Sequence, residues 1–96
     1  MIHVLIMIHV GPGGLDALRR YESKVVPIIR EHGGKIISAF KPLNNPPDEI
    51  HLIEFSSREA LAQYQQDGRV VELKSEREKA IAKTDLYISS EIINYT

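Results

Sequence analysis

Apolar residues occupy every even position from Ile2 to Val10, while the odd positions read His3, Leu5, Met7 and His9. A run this short and rich in β-branched residues predicts a buried strand with one dry face and one mixed face. Gly11-Pro12-Gly13-Gly14 breaks it, because proline has no N–H to donate and glycine accepts turn conformations. From Leu15 to His32 the period changes: Leu15, Leu18, Tyr21, Val25, Ile28 and Ile29 recur at spacings of three and four, the stripe of an amphipathic helix. Pro27 predicts a kink within it rather than a stop, and Gly33-Gly34 predicts its end.

Alternation returns over Lys35 to Lys41, a second strand, and Pro42 to Pro47 with Asn44-Asn45 reads as a loop. Ile50, Leu52 and Glu54 then share one face of a third strand, with His51, Ile53 and Phe55 on the other. Ser56 followed by Glu59 has the spacing of a capping box and predicts the start of a helix over Arg58 to Gln66. Asp67-Gly68 interrupts it, and a helix resumes over Arg69 to Lys83. Thr84-Asp85 reads as a turn into a last strand over Leu86 to Tyr95.

This order is the α+β, ferredoxin-like βαββαβ pattern, a single domain over residues 1–96. Right-handed crossovers place the helices on one face of a four-stranded antiparallel sheet ordered 4-1-3-2. The other face is left open, and an apolar face of several hundred Å² predicts a partner. Two such sheets packed together would bury Leu5, Met7 and Leu52, each contributing roughly 1.5–3 kcal/mol when fully removed from water. The expected partner is a second copy of the chain.

Composition narrows the function classes. Twelve Lys and Arg against thirteen Asp and Glu leave a net charge of -1, which argues against nucleic-acid and anionic-membrane partners. Cysteine is absent, so disulfides, thiol nucleophiles and cysteine-ligated metals are excluded. The first apolar run is far shorter than the roughly 20 residues of a membrane helix and has no basic leader, and the expectation is a cytoplasmic protein.

The run Tyr21 to Lys35, then Ile53-Glu54-Phe55-Ser56-Ser57-Arg58-Glu59-Ala60, then Leu73 with Arg77, resembles short bacterial proteins of uncharacterised function in the dimeric α+β-barrel superfamily. Relatives there include EthD-like, NIPSNAP-like, YciI-like and antibiotic-biosynthesis monooxygenase groups. The resemblance implies a ferredoxin-like protomer, a homodimer closing a barrel, and a cleft for a small apolar or aromatic ligand, bound or transformed without a cofactor.

Candidate chemistry centres on Glu54, a carboxylate inside an apolar strand. His3, His9 and Glu54 suggest a two-His-one-carboxylate iron site, but six residues of strand separate the histidines by roughly 20 Å, too far to share an ion. Pairing about the strand midpoints brings Glu54 beside His3 or Leu5, and a His3–Glu54 pair could act as a general base near neutral pH. The bland alternative is that Glu54 holds a buried arginine, Arg77 or its counterpart in a second copy. His9, Tyr21, Tyr64 and Arg77 are candidate ligand contacts, although aromatic residues at helical spacing are more often core. His51, on the helix-facing side, reads as a hydrogen-bonded structural histidine, and His32 suits the negative end of its helix. Gly11-Pro12-Gly13-Gly14 lacks the lysine and spacing of a phosphate loop, and no zinc spacing or serine-nucleophile motif occurs. A non-catalytic binding or assembly module is the competing reading.

Overall fold

The computed structural model describes residues 1–95. Strand β1 (Ile2–Val10) leads into helix α1 (Gly14–Glu31), followed by β2 (Lys35–Phe40), β3 (Glu49–Phe55), α2 (Arg58–Gln66), α3 (Gly68–Glu72), α4 (Lys74–Ala80) and β4 (Ile81–Ser89). The four strands form one antiparallel sheet in the order β2-β3-β1-β4, the ferredoxin-like arrangement.

Helix α1 runs through Pro27 without stopping, and ends where Gly33 takes a φ of +78°, a conformation that suits glycine. The even residues of β1 meet the helices: Ile2, Val4 and Ile8 are buried, as are Ile53 and Phe55 of β3. Two clusters make the core. One joins Ile2, Val4, Ile29, Ile53, Phe55 and Leu61; the other joins Ile8, Ala17, Leu18, Tyr21, Val25 and Ala80. Ile6 and Tyr64 pack against both.

The second half of the chain departs from the periodic reading in three places. Helix α2 is capped one residue later than Ser56: Ser57 is extended, and its Oγ accepts the Ala60 N–H at 3.1 Å. The helix expected over Arg69 to Lys83 is two short helices meeting at Leu73, and it ends at Ala80. Strand β4 begins at Ile81, so Thr84-Asp85 lies inside the strand and the residues after Ser89 lie outside it. The Lys83-Thr84-Asp85 segment resembles a turn by composition, yet an edge strand accepts charged residues on its uncovered face. Thr84 and Leu86 pair with Ile8 and Ile6, while Lys83 and Asp85 pair with His9 and Met7 on the opposite side.

Gly11 ties this edge down. Its N–H donates to Ala80 O at 2.9 Å, and a Cβ at Gly11 would lie 2.6 Å from the Lys79 carbonyl oxygen. Asp48 holds the same end from the other side, its N–H donating to Ile8 O and its Oδ2 accepting from Val10 N, each at 2.8 Å.

The face away from the helices carries Leu5 and Met7 from β1, Ile50 and Leu52 from β3, Phe40 and Tyr87. Phe40 is 53% exposed and Tyr87 59%. No helix among the described residues is long and apolar enough to cross a membrane.

Candidate functional site

A cavity of about 460 Å³ opens between the helices and the sheet. Its position follows from the split core: Ile6 and Tyr64 line it at the point where the two apolar clusters meet, and Leu18, Val25 and Ile29 of α1 supply much of its apolar wall. The size and apolar character suit a small organic ligand.

Polar groups enter this cavity at few places. Tyr21 of α1, Tyr64 of α2 and Arg77 of α4 all line it, so three of the four ligand candidates read from the sequence converge there. Burial raises the Tyr21 phenol above its ordinary value, against the pull of the neighbouring Arg77 guanidinium. Burial, reinforced by proximity to Tyr21, drives the Tyr64 phenol up further. Both phenols are therefore neutral hydroxyls, able to donate to an acceptor on a ligand. Arg77 donates to Thr84 Oγ1 at 3.4 Å, a long contact that leaves donors of the guanidinium free. Edge-on packing of Tyr64 with His32 and tilted packing with Phe55 fix the Tyr64 ring.

His3, Glu54 and His9 lie elsewhere. His3 and Glu54 pair across β1 and β3, with His3 Nε2 3.4 Å from Glu54 Oε2, and His9 Nε2 lies 3.6 Å from Asp85 Oδ2. Strand alternation puts all of them on the uncovered face, so none lines the cavity. The same alternation separates Glu54 from Arg77, which approaches the sheet from the helix side; within one chain the Glu54–Arg77 pair does not form.

A polar cluster that the sequence reading missed closes one end of the cavity. Glu22 of α1 and His51 of β3 line it, and both also line an adjoining cavity of about 330 Å³ that includes Arg19, Lys41 and Glu49. His51 Nε2 lies 2.8 Å from Glu49 Oε1 and 3.3 Å from Glu22 Oε2. Arg19 donates to Glu22 Oε1 at 2.7 Å and also pairs with Glu49. Glu49 is 6% exposed, the single buried charged residue among those described, and Glu22 Oε2 is buried with no hydrogen-bond partner.

The two carboxyls split in opposite directions. Burial raises Glu22, helped by the adjacent Glu49 carboxyl and only partly offset by Arg19. Burial also opposes ionisation of Glu49, but hydrogen bonds from Glu22, His51 and Arg19 outweigh it and hold Glu49 below the ordinary carboxylate range. One carboxyl thus favours its proton and its neighbour favours the charge, the division expected when two acids share a site. Glu22, Glu49 and His51 also bring one metal-donor atom each within 4.8 Å of one another, and the Arg19 guanidinium already pairs with both carboxyl groups.

The signal for this cluster was present in the chain. Extending the β3 alternation back by two residues places Glu49 on the same face as His51. Glu22 falls four residues after Leu18 and three before Val25, inside the apolar stripe of α1. His32 also acquires a specific partner, Asp67 Oδ2 at 2.9 Å, beyond its favourable position at a helix end.

No protein-family profile matches the chain. No curated protein shows significant sequence similarity to it. Solved structures do match its shape. A protein of unknown function from Rhodopseudomonas palustris aligns with a TM-score of 0.80 at 20% identity, covering 97% of this chain and 83% of that one. A NIPSNAP family protein of unknown function from Agrobacterium tumefaciens aligns at 0.71 and 21% identity, covering 93% and 86%. An antibiotic biosynthesis monooxygenase aligns at 0.76 and 14% identity, covering 97% of this chain and all of that one. The chain therefore has the ferredoxin-like α+β fold that these NIPSNAP and monooxygenase structures share.

Proposed function

We propose that the protein is a homodimer that binds a small apolar or aromatic metabolite in the cavity between sheet and helices. The cavity itself carries the reading: about 460 Å³ of mainly apolar lining into which Tyr21, Tyr64 and Arg77 converge. Neutral phenols and a guanidinium are all donors, so the ligand matched to them pairs an apolar body with a carbonyl, phenolate or carboxylate oxygen. The likeness to an antibiotic biosynthesis monooxygenase supports a small organic molecule as the occupant. Conversion of that molecule without a cofactor, by proton transfer or oxygenation, is the enzymatic form of this proposal.

The uncovered sheet face supports the dimer. Leu5, Met7, Leu52, Phe40 and Tyr87 present apolar surface that a second sheet would cover, with the His3–Glu54 pair at its margin. His3 and Glu54 would then lie at the rim of that interface, available there for a role separate from the cavity.

Thermal-shift screening with naphthols, aromatic ketones and aromatic carboxylates tests the binding proposal, because a ligand that binds only the native state raises the melting temperature by mass action. Binders should be found among oxygen-bearing aromatics, and Arg77→Ala should weaken them by about 1.5–3 kcal/mol, the range for a hydrogen bond to a charged group. A flat response across all three classes would remove the proposal.

A further inference from the structure

We infer that Glu22 is the proton-transfer group of the cavity, with His51 and Glu49 positioning it and linking it to solvent, and that the ligand is an enolisable carbonyl compound with an apolar or aromatic body. This rests on the binding reading above and goes further by naming the reacting group and the substrate class.

The placement of Glu22 carries the inference. Its Oε2 is buried and without a hydrogen-bond partner, an unfavourable state unless something donates to it. The nearest candidate, His51 Nε2, lies 3.3 Å away but only 2.8 Å from Glu49 Oε1, so a single ring N–H is better directed at Glu49. Glu22 Oε2 is left to its own proton, shared with the adjacent Glu49 carboxyl. Glu22 and His51 line both cavities, and so form the wall between the apolar inner chamber and the outer pocket with Arg19, Lys41 and Glu49. A proton reaching Glu22 has a route to the outer pocket through His51 and Glu49. The raised Glu22 and lowered Glu49 fit an acid–base group poised beside a fixed negative charge.

The step balances without a co-reactant. With its own proton passed to the outer pocket through Glu49 and His51, the Glu22 carboxylate takes a proton from the carbon next to the ligand carbonyl. The C–H electron pair becomes the enolate C=C bond and the negative charge moves to oxygen. Lys74 and Arg77 are the cations lining the same chamber, and Tyr21 and Tyr64 are its neutral donors, so the developing oxyanion meets positive charge and O–H groups. Return of the proton to another carbon of the conjugated system yields an isomer and restores the carboxylate.

The test uses 2-tetralone, an aromatic ketone with acidic protons at C1, in D2O. Loss of the C1 proton signal is followed by NMR, and melting temperatures are taken with and without 2-tetralone. The wild type should accelerate exchange, and Glu22→Gln should lower that acceleration by about 100-fold, within the range of general acid–base catalysis, while the melting shift caused by 2-tetralone persists. Glu22→Asp, which withdraws the carboxyl by one methylene, should retain part of the acceleration and serves if Glu22→Gln does not fold. A melting shift without acceleration, or equal acceleration by Glu22→Gln, overturns the inference and leaves ligand binding standing. A missing melting shift removes the binding reading instead, and the cluster is then judged on carboxyl ¹³C titration of the free protein. There Glu22 and Glu49 should titrate as a linked pair in contact with Arg19 and His51, with Lys41, Lys74 and Arg77 the other charged groups lining the two cavities. Two independent steps at ordinary carboxylate values would overturn the inference on their own.

Discussion

His3 and Glu54 face one another at 3.4 Å across the β1–β3 pairing, on the side of the sheet that carries no helix. An acid–base pair at the edge of an apolar surface suits the margin of an interface, where it fixes register more than it adds affinity. Light scattering should therefore report about twice the 10.9 kDa chain mass. Leu5→Glu, which puts a charge at the centre of that surface, should give a folded species at half that mass. A monomeric wild type would contradict the expected dimer. Glu54→Gln should change the dimer's affinity little and leave ligand binding in the cavity unchanged, since the two lie on opposite faces of the sheet.

Asp67 organises the junction between α2 and α3, accepting from Arg69 N at 2.9 Å and lying 2.9 Å from His32 Nε2. Arg69 holds its carboxyl far below the ordinary value of 3.8, with His32 adding to the effect. A carboxyl depressed on folding contributes stability that is fully present above its unfolded value and is lost as pH falls toward the folded one. Melting temperature should thus decline below about pH 5. In Asp67→Asn it should start lower and decline less over the same interval, which parallel melts from pH 7 down to pH 3 would reveal.

The start of α2 distinguishes two adjacent serines. Ser57→Ala should cost about 1 kcal/mol in urea denaturation, the usual value of an N-cap, whereas Ser56→Ala should stay within about 0.5 kcal/mol of wild type. The reverse order would restore the cap to Ser56.

Leu18 is fully buried within the cluster of Ile8, Tyr21 and Val25, beside the cavity. Leu18→Ala should destabilise by about 2–5 kcal/mol, and because the adjoining space is already open, the loss should sit toward the upper end. A ligand filling the enlarged chamber should recover part of it, measurable as a larger melting shift than in wild type.

Most of the first sixty residues were readable because β1, α1 and β3 each have a clear period and a punctuating glycine or proline nearby, whereas the alternation of β2 did not fix which of its faces meets the helices. Gly11-Pro12-Gly13-Gly14 and Gly33-Gly34 bound α1, and Ile50 to Phe55 alternate without ambiguity. From Asp67 onward the apolar positions are sparse and shared between periods. Ala80-Ile81 reads equally as the end of a helix or the start of a strand, and contact of Gly11 and Gly13 with the α4 end settles it as a strand start. Tyr21, Tyr64 and Arg77 could be picked as cavity residues from residue type and helical position. Glu22 and Glu49 could not be picked by type, only by position: Glu22 within the apolar stripe of α1 and Glu49 on the face of β3 that carries His51. The meeting of α1 with the first residue of β3, a contact between residues 27 positions apart in the chain, turns them into a pair.

Helix α3 lines the cavity through Val70 and Val71, yet contributes no buried residue of its own. Helix α1 buries six residues, and α2 and α4 bury Leu61 and Ala80. Displacing α3 therefore exposes the least apolar surface of any wall, and opening free energy scales with that exposure. The break at Leu73 separates this five-residue segment from α4. The short helix is thus the cavity wall expected to open at the lowest free-energy cost.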